Sequence, residues 1–554
     1  MNDQQMAEKQ EIPLQQPNHR RHILIVAGTL LGCLVLVLLR MDRAVGLLND
    51  DACYLLLAKA LATGHGYQLI NSPTPGIFPL YPPFYSFVLS LVYRLAGEFP
   101  DNLVWLKLVS IFSLVGLGWL GYVYLCRERQ VPRNLALILA VLSIISPQFV
   151  FFVTSTLMSE PLFAFLLVSV FVTIERAVRH HREEGRIRWA LFVAGGLLGS
   201  AVYLTRGAAI PLLIALPLYL LKERLWRPLL VILLIFVMTI GPWTLYVAQH
   251  PVTEAQQYEQ AGNIVVPYTT QFWYRQAGDT SSGTITVAQL PARVWANFSS
   301  MVAHDTIKIL ALQLYIWVST PSTEIVEPFV SVWVNLLSIL LFLIVLVGYF
   351  ANLRTGMTLS EIALPLLLGL ILLWPFETIR FLLPLSLFFY FYLFRGMAEI
   401  RAWLRRSESG SLYAGRFLRA VLASLLALSL WSHASFLSHY YFGSLFDEIQ
   451  WVSATEENIQ LMRWIQSNIP PTEVLVVSNP ALVHLWTGHK TVGVDSTPGR
   501  LERLRRELGV RYIVLHAYYG NAPLPEMQGF AVVHRINNLP DFQVLDMGPV
   551  AQRP

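Results

Sequence analysis

Apolar runs of helical length alternate with short polar segments along most of this chain, and the runs are too long for strands. Eleven of them read as membrane-spanning helices: 22–39, 102–125, 133–153, 161–176, 189–205, 208–221, 228–247, 328–350, 359–374, 381–395 and 417–440. A bilayer core asks for about 20 apolar residues per helix, and several of these runs are shorter. The intervening charges set a direction. Arg127-Glu128-Arg129 with Arg133, the stretch Arg176–Arg188, Lys222–Arg227, Arg354 and the stretch Arg395–Arg419 all fall on the side of the basic N-terminal flank Arg20-Arg21. That is the distribution of cytoplasmic loops. The run 82–97 (PPFYSFVLSLVYRLAG) is short and precedes Glu98 and Asp101. Counting it as a span would invert every later loop, so it is expected as a juxtamembrane or re-entrant helix that does not cross.

The resulting plan has a cytoplasmic tail over 1–21, a transmembrane domain over 22–440 and a C-terminal domain over 441–554 on the external face. The first apolar run has no small-residue cleavage site before Arg40-Met41-Asp42, so it reads as a retained span. External loops cover 40–101 and 248–327, and 302–320 within the second reads as an interfacial helix. Past the last span the pattern changes. Short β-like runs at 474–478, 491–494, 512–516, 530–536 and 542–548 alternate with helical stretches at 455–467 and 498–508, which predicts a small α/β sheet domain.

Composition agrees: 55% of residues are hydrophobic and only 14% charged, against about 25% charged in a soluble domain. The net charge of +5 is spread over loop clusters and forms no nucleic-acid surface. Cys33, Cys53 and Cys126 are scattered and suggest neither a disulfide framework nor a metal motif.

Candidate chemistry gathers in the external segments. Asp50 and Asp51 follow the first span and open an amphipathic stretch, LLNDDACYLLLAKALATGHGY. Adjacent carboxylates suit a base with a helper, or a metal, and equally suit simple solvation. Glu160 stands before Pro161 at a helix start, where it would serve catalysis or complement the helix dipole. Arg206 interrupts VYLTRGAAIPLL, and Arg380 in ETIRFLLPL holds a comparable position near Glu377. A guanidinium at membrane depth fits a lipid-linked phosphate; it also fits a snorkelling side chain or an ion pair with an acid such as Glu160 or Glu377. His65, in GHGY, would either hydrogen-bond near the site or simply mark a turn. The set His484, Lys490 and Asp495 is explained as well by a turn and strand as by a site.

The ordered features DDACYLLLAKALATGHGY, YPPFY, SEPLF, LTRGAAIPL and RFLLPL resemble those of the GT-C glycosyltransferases. These include the dolichyl-phosphate-mannose protein mannosyltransferases, the aminoarabinose transferases and the broad bacterial group with an RgtA/B/C/D-like domain, to which the likeness is closer. The resemblance implies a many-span fold with an external active site and a polyprenyl-phosphate sugar donor, undecaprenyl phosphate in a bacterial inner membrane. It places the family's first-loop aspartate on Asp50, acting on the acceptor, and the second-loop acid on Glu160. Asp51 would position acceptor or metal, with Tyr54, His65 and Tyr81 in support. Arg206 and Arg380 would bind the donor phosphate. A divalent cation is compatible with this set and is not demanded by it. Asp51 departs from the usual glutamate. Tyr81 stands where the aminoarabinose branch carries a lysine, which argues against that substrate, and 248–327 is too short for a β-trefoil insertion. The acceptor would be a glycan, a lipid or a protein. A lipid-linked sugar transporter, or a polysaccharide polymerase or ligase, is the rival class; a transporter would be expected to show inverted repeats with charges at the bilayer midplane.

A protease or tag reporter placed within 447–554 is expected to report an external location. A cytoplasmic signal would overturn the loop assignment.

Overall fold

The computed structural model describes residues 19–548 apart from 75, 78–80, 261–266, 277–278, 320–326, 377, 405–410, 443–449, 495–498, 517–526, 528, 538 and 540. The protein is a multi-pass α-helical membrane protein with a small C-terminal sheet. All eleven apolar runs fall on helices. Among the described residues seven helices are long and apolar enough to cross a bilayer. The run 133–153 becomes two helices, Arg133–Ile144 and Pro147–Thr154, bent by 54°. The bend follows from Pro147, which ends the i→i−4 ladder and starts the next helix. Trp189–Thr205, Gly207–Lys222 and Leu359–Leu373 are shorter apolar helices, as is Pro83–Ala96 outside the eleven.

Polar contacts sort the helix ends. At one end Arg129 pairs with Glu175 at 3.4 Å and Glu361 at 3.1 Å, and Thr358, Ser360 and Tyr392 complete the hydrogen bonding around the two acids. Arg179–Glu128, Arg182–Glu223 and Lys222 to the Met357 carbonyl lie at the same end. The loops carrying Arg129, Arg179 and Arg182, Lys222 and Met357 therefore meet at one end of the bundle. Asp50, Glu160, Arg206 and Arg380 meet at the other.

Two helices cross at backbone contact. A Cβ on Gly348 would stand 1.9 Å from the Tyr392 carbonyl oxygen, and one on Gly396 would stand 2.0 Å from that of Ile344. Small residues at such a crossing let dispersion between backbones replace the missing hydrophobic drive between spans. The region 302–320 does not lie free as an interfacial helix. A π-turn at Met301–Asp305 leads into Thr306–Ser319. Ile307, Ile309 and Leu310 are buried in the main core, and Ser338 bonds both the Ile307 N–H and the Val302 carbonyl.

A hairpin of β1 (Tyr274–Gln276) and β2 (Asp279–Thr284) decorates the second long loop. The C-terminal sheet contains β3 (Val474–Val477), β4 (Lys490–Gly493), β5 (Tyr512–Leu515), β6 (Ala531–Arg535) and β7 (Gln543–Asp546), in spatial order β4-β3-β5-β7-β6. β4, β3 and β5 are parallel, and β7 pairs antiparallel with β5 and β6. Strand alternation sends Leu475 and Val477 to helix Gln450–Asn468 and Val476 to helix Arg500–Leu508. All five β-like runs became strands. The helix Pro480–Thr487 was not foreseen, although Asn479 as cap, Pro480 at its start and Gly488 after its end are ordinary helix signals. His484 and His489 bond backbone carbonyls inside this fold and Lys490 bonds Ile70 and Ser72; Asp495 lies outside the described residues.

Gly348→Ala drives a methyl into a backbone oxygen and is expected to cost about 1–3 kcal/mol or more. Thermal unfolding in detergent checks this against Gly369→Ala, a helical position with open space beyond the new methyl, where stability should hold or rise.

Candidate active site

Asp50 is the first residue of helix Asp50–Ala62. The turn before it is unusual: Asn49 has φ 56° and ψ −48°, and the Asp50 N–H donates to the Leu48 carbonyl at 2.6 Å. This is a γ-turn of the φ-positive kind, a conformation carrying about 1–3 kcal/mol of strain. Successive helix residues point about 100° apart, so the two aspartates diverge. Asp50 faces a cavity. Asp51 is buried beneath the loop and accepts from Gly46 N–H at 2.7 Å and Leu48 N–H at 3.4 Å. Burial pushes its carboxyl up in pKa, while those two amides favour the carboxylate. The expectation that Asp51 positions an acceptor or a metal is thereby corrected; it shapes the loop that carries Asp50.

Glu160 opens helix Glu160–Glu184, where the N-terminal backbone charge favours an acid. Arg206 sits in an extended break (φ −150°, ψ 130°) between Trp189–Thr205 and the short 3-10 turn Gly207–Ala209. That break turns its side chain sideways to Glu160 Oε1, 2.8 Å away. Arg380, on the short helix Thr378–Leu382, is the bridge. Its Nε donates to the same Glu160 oxygen at 2.6 Å, and its Nη2 donates to Asp50 Oδ2 at 2.5 Å. Asp50 Oδ1 receives the Tyr81 hydroxyl. Burial and the adjacent Asp50 raise the Tyr81 pKa well above its ordinary value, so the phenol stays protonated and donates. Ser159 accepts from Arg206 Nη1 at 3.1 Å and donates to the Tyr54 hydroxyl at 3.0 Å. The Tyr54 ring meets Tyr81 and Tyr85 edge-on at 4.8 and 5.0 Å.

Two carboxylates and two guanidiniums make the cluster electrically balanced. One acceptor is left over: Glu160 Oε2 is buried and makes no hydrogen bond among the described residues. The cluster borders a cavity of about 330 Å³. Asp50, Tyr54, Tyr81, Arg206 and Arg380 line it, and Glu160 lies behind them, outside the lining. Tyr268, Trp374 and Phe381 also line it, and sequence reading singled out none of them. Tyr268 and Trp374 meet edge-on at 5.5 Å, and Gly207 leaves the space that the Tyr268 ring fills, since a Cβ there would stand 2.6 Å from it. His65 stays apart, exposed and hydrogen-bonded to Thr63 at 2.8 Å, so it does not support the site. Glu377 lies outside the described residues. Among the described residues no three His, Cys, Asp or Glu side chains gather as metal ligands. The counter-charges to Asp50 and Glu160 are guanidiniums.

No protein-family model and no curated protein matches the sequence. Solved structures do match in fold. The apo oligosaccharyltransferase of Archaeoglobus fulgidus superposes with a TM-score of 0.53 at 14% identity, covering 89% of this chain and 69% of that one. The same enzyme tethered to an acceptor peptide with the NVT sequon gives 0.51 at 13% identity over the same shares. The fold is GT-C. ArnT from Cupriavidus metallidurans bound to undecaprenyl phosphate is also similar, covering 95% of this chain and 97% of that one at 12% identity and a TM-score of 0.46. In this chain the charged cluster is assembled from four segments far apart in sequence, while the aromatic wall includes Tyr268 of the second long loop and Trp374 at the end of Leu359–Leu373.

Glu160→Gln takes the shared negative charge away from two guanidiniums in a mostly buried site. Breaking a buried pair from one side costs about 3–5 kcal/mol, so a clear fall in thermal unfolding temperature is expected. An unchanged temperature would mean that the acid is not paired in solution.

Proposed function

We propose that this protein is a membrane glycosyltransferase that moves a sugar from a polyprenyl-phosphate donor to a hydroxyl or amine acceptor on the external face. The observation that carries this reading is one aspartate and two arginines bordering a single cavity with an aromatic and aliphatic wall. Such a cavity suits an amphiphile whose headgroup is a phosphate and whose tail is apolar. The GT-C fold, shared with an enzyme that transfers oligosaccharide, supports the same class.

Asp50 acts as general base. The acceptor oxygen or nitrogen attacks the anomeric carbon as its proton passes to the Asp50 carboxylate. The bond from that carbon to the phosphate oxygen breaks on the opposite side, and the polyprenyl phosphate leaves with the electron pair, so configuration inverts. This resembles the inverting geometry of glycoside hydrolysis with the acceptor in place of water. Arg206 and Arg380 stabilise the departing phosphate. Arg380 pairs through Nε and Nη2, which leaves Nη1 outside both carboxylate pairs and suited to a third oxygen. Tyr81 and Arg380 fix the Asp50 carboxylate from two sides. Glu160, buried behind the cavity wall, holds both arginines in place. A divalent cation is not needed for charge balance here. In the cell the reading puts the chain in a bacterial inner membrane, with undecaprenyl phosphate as carrier and the C-terminal domain outside.

Asp50→Asn is expected to lower transfer by about 10²–10⁴-fold with folding intact, because Arg380 keeps Glu160. Mass spectrometry of lipids co-purifying with wild type and variant should find a polyprenyl-phosphate sugar enriched on the variant. Full activity in the variant would remove the base assignment. If neither form holds such a lipid or binds added polyprenyl phosphate, the transporter class takes its place.

A further inference from the structure

The loop that aims Asp50 is gripped by the C-terminal domain. Asn479 is buried at the start of helix Pro480–Thr487, where its Oδ1 accepts the Leu482 N–H at 3.1 Å. Its Nδ2 donates to Asn49 Oδ1 at 2.8 Å and to the Gly46 carbonyl at 3.1 Å. The cap fixes which end of the amide is oxygen, and the two acceptors then take both N–H bonds, so both donors are used. Asn479 is itself held from behind, its N–H donating to His516 Nε2 at 3.3 Å. Burial holds the His516 pKa down to about 4, so the ring is neutral at neutral pH, and the Asn479 N–H selects the tautomer in which Nε2 accepts.

Both partners of Nδ2 belong to the strained loop. Asn49 is the centre of the γ-turn, and Gly46, at φ +86°, lies so close under Leu482 that a Cβ would stand 2.7 Å from its methyl. Asn49 and Asp50 both line the cavity, one residue apart. A free chain would relax Asn49 to negative φ and swing Asp50 away from Tyr81 and Arg380. The domain is seated beside this contact by two more bonds, Lys490 Nζ to the Ile70 carbonyl at 2.8 Å and Thr491 N–H to the Asn71 carbonyl at 2.8 Å.

We propose that Asn479 is a positioning residue: through its side-chain amide the C-terminal domain holds the γ-turn at Asn49 and so aims Asp50 into the cavity. The domain is then part of the catalytic apparatus and not only a cover. This rests on the reading of Asp50 as the base. If only a fraction of molecules keeps the turn without the amide, turnover falls to that fraction of its full value, while the cavity that binds the donor is unchanged.

The test uses the full-length protein. Asn479→Ser keeps an oxygen for the helix cap and removes both donors. It should lower kcat about tenfold or more, as misplacing a catalytic group by about 1 Å does. The donor KM and the unfolding temperature should stay near wild type. Asn49→Gly, whose backbone holds positive φ without help, should restore most of that kcat when added to Asn479→Ser. Asn479→Asp, which puts an oxygen where the donor was, serves if the serine variant does not fold. Wild-type kcat in these variants, or a loss that Asn49→Gly does not restore, overturns the proposal. Asp50→Asn assayed alongside separates the two ideas. An active Asp50→Asn removes the base reading, whereas an inactive one beside a fully active Asn479→Ser removes the clamp alone.

Discussion

One carboxylate oxygen organises the site. Glu160 Oε1 receives both Arg206 and Arg380, and Arg380 extends the same charge system to Asp50. Each charge alone would be expensive at the rim of an apolar bundle. Together they cancel, and their hydrogen bonds fix the relative placement of helix Asp50–Ala62, helix Glu160–Glu184, the break after Thr205 and the helix at Thr378–Leu382. The tyrosines at 54 and 81 and the aromatic wall are arranged around that neutral core.

The same helix carries a second charge cluster at its far end. Glu160 and Glu175 are 15 residues apart, about 22 Å along the axis. Glu175 shares Arg129 with Glu361 at the cap of Leu359–Leu373, and that helix ends at Trp374, in the cavity wall. Both helices are thus pinned in register where the basic loops gather and again at the site, while Gly348 and Gly396 fix the depth of a neighbouring crossing.

Much of this architecture was legible because lipid leaves little freedom: backbone polar groups must be met internally, so apolar runs of this length become helices. The five C-terminal strands were legible from alternation. Helix Pro480–Thr487 was missed because its short apolar run reads as a strand unless the Asn-Pro start is given weight. At the site, Asp50, Glu160, Arg206 and Arg380 stood out as charges in apolar surroundings. Their pairing did not, since no periodicity links positions that only the fold brings together. Asp51 was misjudged by treating neighbours in sequence as neighbours in space. Tyr268 and Trp374 carry no signal in a chain where 12% of residues are aromatic. Asn479 acquires meaning only from what it touches.

Strand β4 lies at the margin of the C-terminal sheet, and its outer side is covered by the backbone at Asn71 and the Lys490 bonds to the first loop. The domain is therefore no portable cassette. Cut away from the bundle, it would display an unpaired strand margin of the kind that recruits other chains, together with the bare side of Leu482. Any chain in which this unit is shortened or transplanted must supply a new cover for that margin.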